Sequence, residues 1–244
     1  LLEIKNLTGG YSSHQPVIHQ ISFTVSPGEI VGLIGLNGAG KSTTIKQILG
    51  FLHAKEGEIR FNGQTLQEDP VAFKRQLAYI PETPYLYPEL TLREHLELTA
   101  MAYGISRDDY QDQMQQMLNL FRMKKKLDWY PDTFSKGMRQ KVMVMSAFLV
   151  NPSLLIVDEP FIGLDPLAIH NLLELMVKLK KQETGILLST HVLATAEKYC
   201  DRFVLLNEGR IALAGSLDEM REQAGFPDAS LDELFVHTVG EERL

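Results

Sequence analysis

One cysteine and one tryptophan occur in 244 residues. A lone Cys200 excludes an internal disulfide and any multi-cysteine metal site, which fits a reducing compartment. No stretch approaches 18 uninterrupted apolar residues, and the N-terminus has no charged-then-apolar secretion signal. The expectation is a cytoplasmic chain that neither spans nor crosses a membrane unaided, with a trimmed start at Leu1. Basic residues are the minority, 24 against 31 acidic, for a formal net charge of −7, and no dense basic stripe is present. Nucleic acid is therefore not an expected partner. The single basic run, Lys124-Lys125-Lys126, reads as a solvated face, with an acidic lipid surface or partner as the alternative. Repeats and low-complexity segments are also absent, and no room is left for a second full domain.

What is present is the composition of an ordinary globular protein, 44% hydrophobic and 23% charged. Short alternating segments, Leu2-Glu3-Ile4-Lys5, Ile21-Ser22-Phe23-Thr24-Val25 and Gly57-Glu58-Ile59-Arg60-Phe61 before an Asn62-Gly63 turn, predict an antiparallel layer. Ile30 to Ile34, Leu154 to Val157, Ile186 to Leu188 and Phe203 to Leu206 are instead compact apolar runs, suited to a parallel sheet covered on both faces. Between residues 91 and 149 the spacing turns helical, with Leu92, Leu96 and Met101, then Met114, Met117, Leu118 and Phe121, as apolar faces. Thr91 and Glu94 suit a capping box. Ser216 to Arg221 and Ser230 to Val239 read as terminal helices separated by Gly225-Phe226-Pro227.

The run Gly35-Leu36-Asn37-Gly38-Ala39-Gly40-Lys41-Ser42 follows an apolar strand and opens the helix-like Thr43-Thr44-Ile45. Glycines there let backbone N–H groups approach phosphate oxygens that side chains would obstruct. Lys41 supplies a charge for the β- and γ-phosphates, Ser42 a hydroxyl for Mg²⁺, and the helix N-terminus its dipole. Leu36, Asn37, Gly38, Ala39, Gly40, Lys41, Ser42 and Thr43 are the expected ATP contacts. A second element is Leu154-Leu155-Ile156-Val157-Asp158-Glu159, a strand that delivers two acids to the sheet's carboxyl edge, where ligands of α/β sheets bind. Asp158 is suited to Mg²⁺ and Glu159 to polarising an attacking water. Phe134-Ser135-Lys136-Gly137-Met138-Arg139-Gln140 precedes a strong helix, so that Ser135, Gly137 and a helix N-terminus form an anion site; the plain alternative is an N-cap by Ser135.

This last segment resembles the signature motif of the ATP-binding cassette (ABC) ATPases, with Lys136 and Met138 as departures, and the motif order along the whole chain is similar to one cassette nucleotide-binding domain. The resemblance implies an α/β P-loop NTPase fold: a RecA-like parallel core sheet, an N-terminal antiparallel β-layer and an inserted helical subdomain. On that plan residues 1–244 form a single ABC ATPase domain, with 1–90 and 150–219 as core and β-layer, 91–149 as helical subdomain and 220–244 as C-terminal helices. Gly163-Leu164-Asp165 then resembles the D-loop, with Asp165 near nucleotide, His191 the switch histidine touching the γ-phosphate, and Tyr11 the aromatic that stacks on adenine. Glu82, in Tyr79-Ile80-Pro81-Glu82-Thr83-Pro84, stands where many members carry the Q-loop glutamine. A glutamate there keeps oxygens for the metal and loses an NH₂ donor.

Within the family the stretch Ile80 to Gly104 and the signature resemble the EcsA-type, exporter-like branch. The implied function is ATP hydrolysis driving a separate transmembrane permease, from the cytoplasmic face of the membrane. The implied cofactors are ATP and Mg²⁺, and the implied assembly is a head-to-tail homodimer in which Ser135 and Gly137 cap the other subunit's ATP. A cassette acting on ribosomes or chromosomes is the alternative, although Glu82 and Ser135 lie only about 50 residues apart without the sustained heptads of a chromosomal coiled coil. A small-molecule kinase would need no signature, and a binding-only cassette would need neither Glu159 nor His191.

Overall fold

The computed structural model describes residues 1–12 and 15–240, so the last four positions of the expected C-terminal helical region lie outside the described residues. In chain order the first elements are β1 (Leu2–Gly9), β2 (Ile18–Val25), β3 (Ile30–Gly35), α1 (Lys41–Ile48), β4 (Ala54–Phe61), β5 (Gln64–Thr65), α2 (Pro70–Arg75) and β6 (Leu77–Ile80). Then follow α3 (Leu92–Tyr103), α4 (Arg107–Leu120), α5 (Lys136–Leu149), β7 (Leu154–Asp158), α6 (Pro166–Lys181) and β8 (Gly185–Ser189). The chain ends on α7 (Leu193–Tyr199), β9 (Arg202–Asn207), β10 (Arg210–Gly215), α8 (Leu217–Ala224) and α9 (Leu231–Gly240).

The alternating segments form one antiparallel sheet, ordered β2-β1-β4-β5. Leu2 pairs with Val25 on one side and Phe61 on the other, and all three are buried, so the apolar period sets the register. Asn62 and Gly63 both have positive φ, the conformation a two-residue hairpin needs to follow the strand twist.

The second sheet, β10-β9-β3-β8-β7-β6, is parallel except at one edge. Every residue of β3, β7 and β8 is buried, as their uninterrupted apolar runs require. Two members have no counterpart in the sequence reading. β6 has only four residues and runs into Pro81, so its pattern is too short to separate from the extended segment after it. β10 returns antiparallel through the Glu208-Gly209 turn and is half exposed at the edge.

Core side chains lie on both faces of this sheet. Leu33, Ile45, Ile156 and Leu187 pack under the β-layer; Ile80, Leu155, Val157 and Ile186 pack under the helices that follow β6. In α3 the capping box forms as the sequence suggests, and Leu92, Leu96 and Ala100 make the buried stripe. Met101, expected on that face, is 78% exposed: nine residues beyond Leu92 is about two and a half turns, which brings it out on the opposite side. Met114 and Leu118 of α4 are buried and Met117 packs at the core's edge. Helices α8 and α9 cover Ile34, Phe203 and Leu205 with Met220, Leu231 and Leu234. No helix among the described residues is long and apolar enough to cross a membrane.

Candidate functional site: a phosphate loop facing a buried acidic pair

The loop between β3 and α1 closes on itself through Ala39 N–H to Leu36 carbonyl at 3.1 Å. It is braced by Gly209 of the β9–β10 turn, whose N–H donates to the Ala39 carbonyl at 3.1 Å. Gly38 has φ +86° with open space around its α-carbon, so backbone conformation rather than crowding selects glycine there. Gly40 caps α1 without a side-chain hydrogen bond, which leaves the helix's first N–H groups facing the loop. Leu36, Asn37 and Gly38 are exposed at the rim, while Ala39, Lys41 and Thr43 are buried. Lys41 turns back into the loop: its ammonium donates to the carbonyls of Gly35 at 2.8 Å and Leu36 at 3.2 Å.

Across from the loop, β7 ends at Asp158 and the chain turns sharply at Glu159, a non-glycine residue with φ +45°. That backbone is strained, and it is held by Glu159 N–H donating to the Ser189 carbonyl at 2.9 Å. One Glu159 carboxylate oxygen lies 3.8 Å from the Lys41 ammonium; the other lies 2.7 Å from His191 Nδ1 and 3.3 Å from the His191 backbone nitrogen, which donates to it. Glu159 is thus a buried carboxylate strung between the loop lysine and a half-exposed histidine at the end of β8.

Asp158 is 3% exposed, and its Oδ1 has no hydrogen-bond partner. Burial pushes its carboxyl above the ordinary aspartate value; the hydroxyls of Ser189 and Ser42 pull the other way, and the charges of Glu159 and Glu82 add to the rise. A desolvated carboxylate oxygen beside two hydroxyls fits a hard cation such as Mg²⁺. The described residues contain no cluster of three or more acidic, histidine or cysteine ligands, so a cation held here would need further oxygen ligands from substrate or water. Ser42, Asp158 and Glu82 are the residues that would hold it. Ser189 is a member the sequence reading passed over. Its Oγ is fully buried beside the Asp158 carboxyl, and its only sequence signal is a polar residue ending an apolar strand in register with Asp158.

Lys41, Ser42, Asp158, Glu159 and His191 therefore meet in one chain, with Glu82 close enough for its charge to reach Asp158. Ser135, Gly137 and Asp165 do not join them. Ser135 caps α5, accepting from Met138 N–H at 3.2 Å. A β-carbon on Gly137 would lie 2.2 Å from the Gly163 carbonyl oxygen, so glycine is required there by close approach of two backbones. Asp165 caps α6 by accepting from Ala168 N–H at 2.9 Å and pairs with Lys141 at 2.6 Å. The Lys141 ammonium and that cap hold its carboxyl below the usual range. Tyr11 is 64% exposed, and its hydroxyl accepts from Lys46 of α1 at 3.0 Å. The same Lys46 ammonium lies over its ring, 5.2 Å from the centroid.

Comparison with known proteins identifies the family. The family profile described as "ABC transporter" matches residues 18–162. The chain is 55% identical to the ABC-type transporter ATP-binding protein EcsA of Bacillus subtilis, over 99% of this chain and 98% of that protein. It is 41% identical to the uncharacterized ABC transporter ATP-binding protein YthP of the same organism, over 100% of this chain and 99% of that protein. A solved ATP-binding subunit of an ABC transporter superposes with a TM-score of 0.95 at 56% identity, covering 98% of this chain and 99% of that one.

Proposed function

This chain belongs to the ABC transporter ATP-binding proteins, and from that premise we propose how its residues divide the work of an ATPase. The carrying observation is the Lys41–Glu159–His191 string. ATP enters with its phosphates against the N–H groups of residues 36–43, and the Lys41 ammonium exchanges loop carbonyls for β- and γ-phosphate oxygens. Mg²⁺, when bound, supplies charge neutralisation across those oxygens. Glu159, released from Lys41, accepts the proton of the attacking water as general base. His191, oriented by its 2.7 Å contact with Glu159, donates to the γ-phosphate and so distinguishes ATP from ADP. Tyr11 stacks on the adenine.

Within a single chain the site is open, because Ser135 and Gly137 lie outside it. We assign them, with Asp165, to the ATP of a second copy in a head-to-tail homodimer. The partner that receives the motion is a transmembrane permease, with the chain peripheral at the cytoplasmic face. Supporting this are exposed apolar side chains within the segment after Glu82, Tyr85 and Tyr87, and on α3, Leu98 and Met101. The direction proposed is export, by resemblance to the EcsA-type branch. The division into core and β-layer (1–90, 150–219), helical subdomain (91–149) and C-terminal helices (220–244) is proposed as the set of parts that move.

The deciding experiment is Glu159→Gln. Turnover should fall by about a hundredfold or more, as expected for loss of a general base, while ATP accumulates in stable dimers. Unimpaired steady-state hydrolysis would remove Glu159 from the role, and co-purification without any membrane protein would remove the permease.

A further inference from the structure

We propose that Gln140 and His95 are positioning residues that fasten the Glu82 loop to the helical region, setting where the Glu82 carboxylate stands relative to Asp158. The inference rests on the reading of Glu82 as a metal-side residue.

Glu82 lies in a stretch with little to hold it. Pro81, Pro84 and Pro88 have no N–H to donate. From Pro81 to Leu86, the only hydrogen bond among the described residues comes from outside the loop: Gln140 Nε2 donates to the Pro81 carbonyl at 2.9 Å. That carbonyl belongs to the peptide unit whose nitrogen is Glu82's own. Holding it fixes the plane from which the Glu82 side chain departs.

Gln140 is 1% exposed, one turn into α5, and its own Oε1 is buried without a partner. A buried amide with half its capacity unused is costly, and an apolar side chain of the same length would fill the position without that cost. Packing therefore does not account for the glutamine; the bond to Pro81 does.

The far end of the loop is fastened in the same way. Tyr87 N–H donates to His95 Nε2 at 2.9 Å, and His95 Nδ1 donates to the Thr91 carbonyl at 2.8 Å. The two bonds together assign the neutral tautomer with its proton on Nδ1. The Tyr87 and His95 rings also stack, with centroids 6.1 Å apart. Both fasteners come from helices, α5 and α3, that follow β6 in the chain, whereas Asp158 ends a sheet strand. The β6–β7 pairing brings Ile80 opposite Val157, and from there the distance between Glu82 and Asp158 is set by how these helices sit on the sheet.

The test uses the full chain with a nitroxide on Tyr85→Cys, an 82% exposed position within the loop, in a Cys200→Ala background, because Cys200 is only partly buried although its thiol is pushed up to about 12. Without metal or nucleotide, Gln140→Met should raise the mobile fraction of the label about fivefold, the effect of losing one net hydrogen bond. His95→Phe, which keeps the ring stack and removes the acceptor, should do the same. In the unlabelled protein Gln140→Met should raise the Mg²⁺ concentration for half-maximal ATPase by a similar factor, with ATP affinity in the absence of Mg²⁺ unchanged. Added to Glu82→Gln it should cause no further change. An unaltered label spectrum overturns the inference, as does an additive loss in the double variant. If Glu82→Gln alone leaves the Mg²⁺ curve unmoved, the reading of Glu82 fails, and the label spectrum alone then decides whether the loop is fastened as proposed. Should Gln140→Met not fold, Gln140→Glu, isosteric and unable to donate when ionised, serves in its place under the same outcomes.

Discussion

Replacing Gly137 by alanine tests the contact that seats the start of α5 against the turn after the acidic strand. The new β-carbon would lie 2.2 Å from the Gly163 carbonyl oxygen and 3.2 Å from its carbonyl carbon, against an ordinary contact of about 3.4 Å or more. Both sides of the clash are backbone, so the two segments must part by about 1 Å. Overpacking of that kind costs about 1–3 kcal/mol. For a chain of this size each kcal/mol lowers the melting temperature by about 2–4 °C, which predicts a fall of about 2–12 °C in calorimetry. Gly104→Ala is the control. Gly104 ends α3 with φ +69° and open space around it, so alanine there meets only the left-handed backbone penalty of about 1–2 kcal/mol. Stability should fall comparably in both variants. Turnover should not: a displacement of about 1 Å at the Ser135 turn should lower ATPase by about ten- to a hundredfold, whereas Gly104→Ala leaves it near wild type. A Gly137→Ala protein with wild-type melting and turnover would refute the reasoning, as would equal loss of turnover in the control.

Asp158→Asn should stabilise the nucleotide-free protein at pH 7, by about 1 kcal/mol, because the buried carboxylate oxygen has no partner, while abolishing Mg²⁺-dependent hydrolysis. Its folded pKa is raised, so the native state binds the extra proton and wild type gains stability as pH falls through that value. The melting gap between variant and wild type should therefore narrow as pH falls from neutrality toward the ordinary aspartate value, and a gap independent of pH over that range would count against the assignment. Asp165→Ala removes both an N-cap and the partner of Lys141 and should cost about 1–2 kcal/mol in urea unfolding. Asp165→Asn keeps the cap and should cost under about 0.5 kcal/mol, since the aspartate is half exposed and its ion pair is screened. The Asp165 contribution is present near neutrality and lost as pH falls through its lowered pKa. Cys200 should resist thiol reagents at pH 8 in the folded protein and react fully in denaturant.

Elements with a strong local signal were legible in the sequence. The alternation of β1 against the continuous runs of β3, β7 and β8 separated a half-buried antiparallel sheet from a doubly covered parallel one, because burial on one face or two leaves different periods. Asp158 and Glu159 could be found because a strand end delivers them, where direction is set locally, and Lys41 because a glycine-rich loop after β3 opens into α1 at that residue. Met101 was misplaced by counting apolar residues without counting turns. β6 and β10 lack a strong local signal, β6 because it has four residues and β10 because it is a half-exposed edge strand without a continuous apolar run.

Contacts between distant segments left weaker traces, and Gly137 shows why. From sequence its missing side chain suits an anion site; in the fold it is demanded by the Gly163 carbonyl, 26 positions away, and the two reasons select the same residue. The same holds at Ser135, where one hydroxyl serves as helix cap whatever it faces in an assembly. Lys141, His95 and Ser189 had no motif to mark them, and Gln140, though it ends the signature-like segment, had nothing to link it to Pro81, since each acts through a backbone carbonyl, a carboxylate or a buried strand end that other sequences could supply from other positions. A motif marks a residue whose chemistry meets the substrate; a residue whose chemistry meets the fold is visible only once the fold is known.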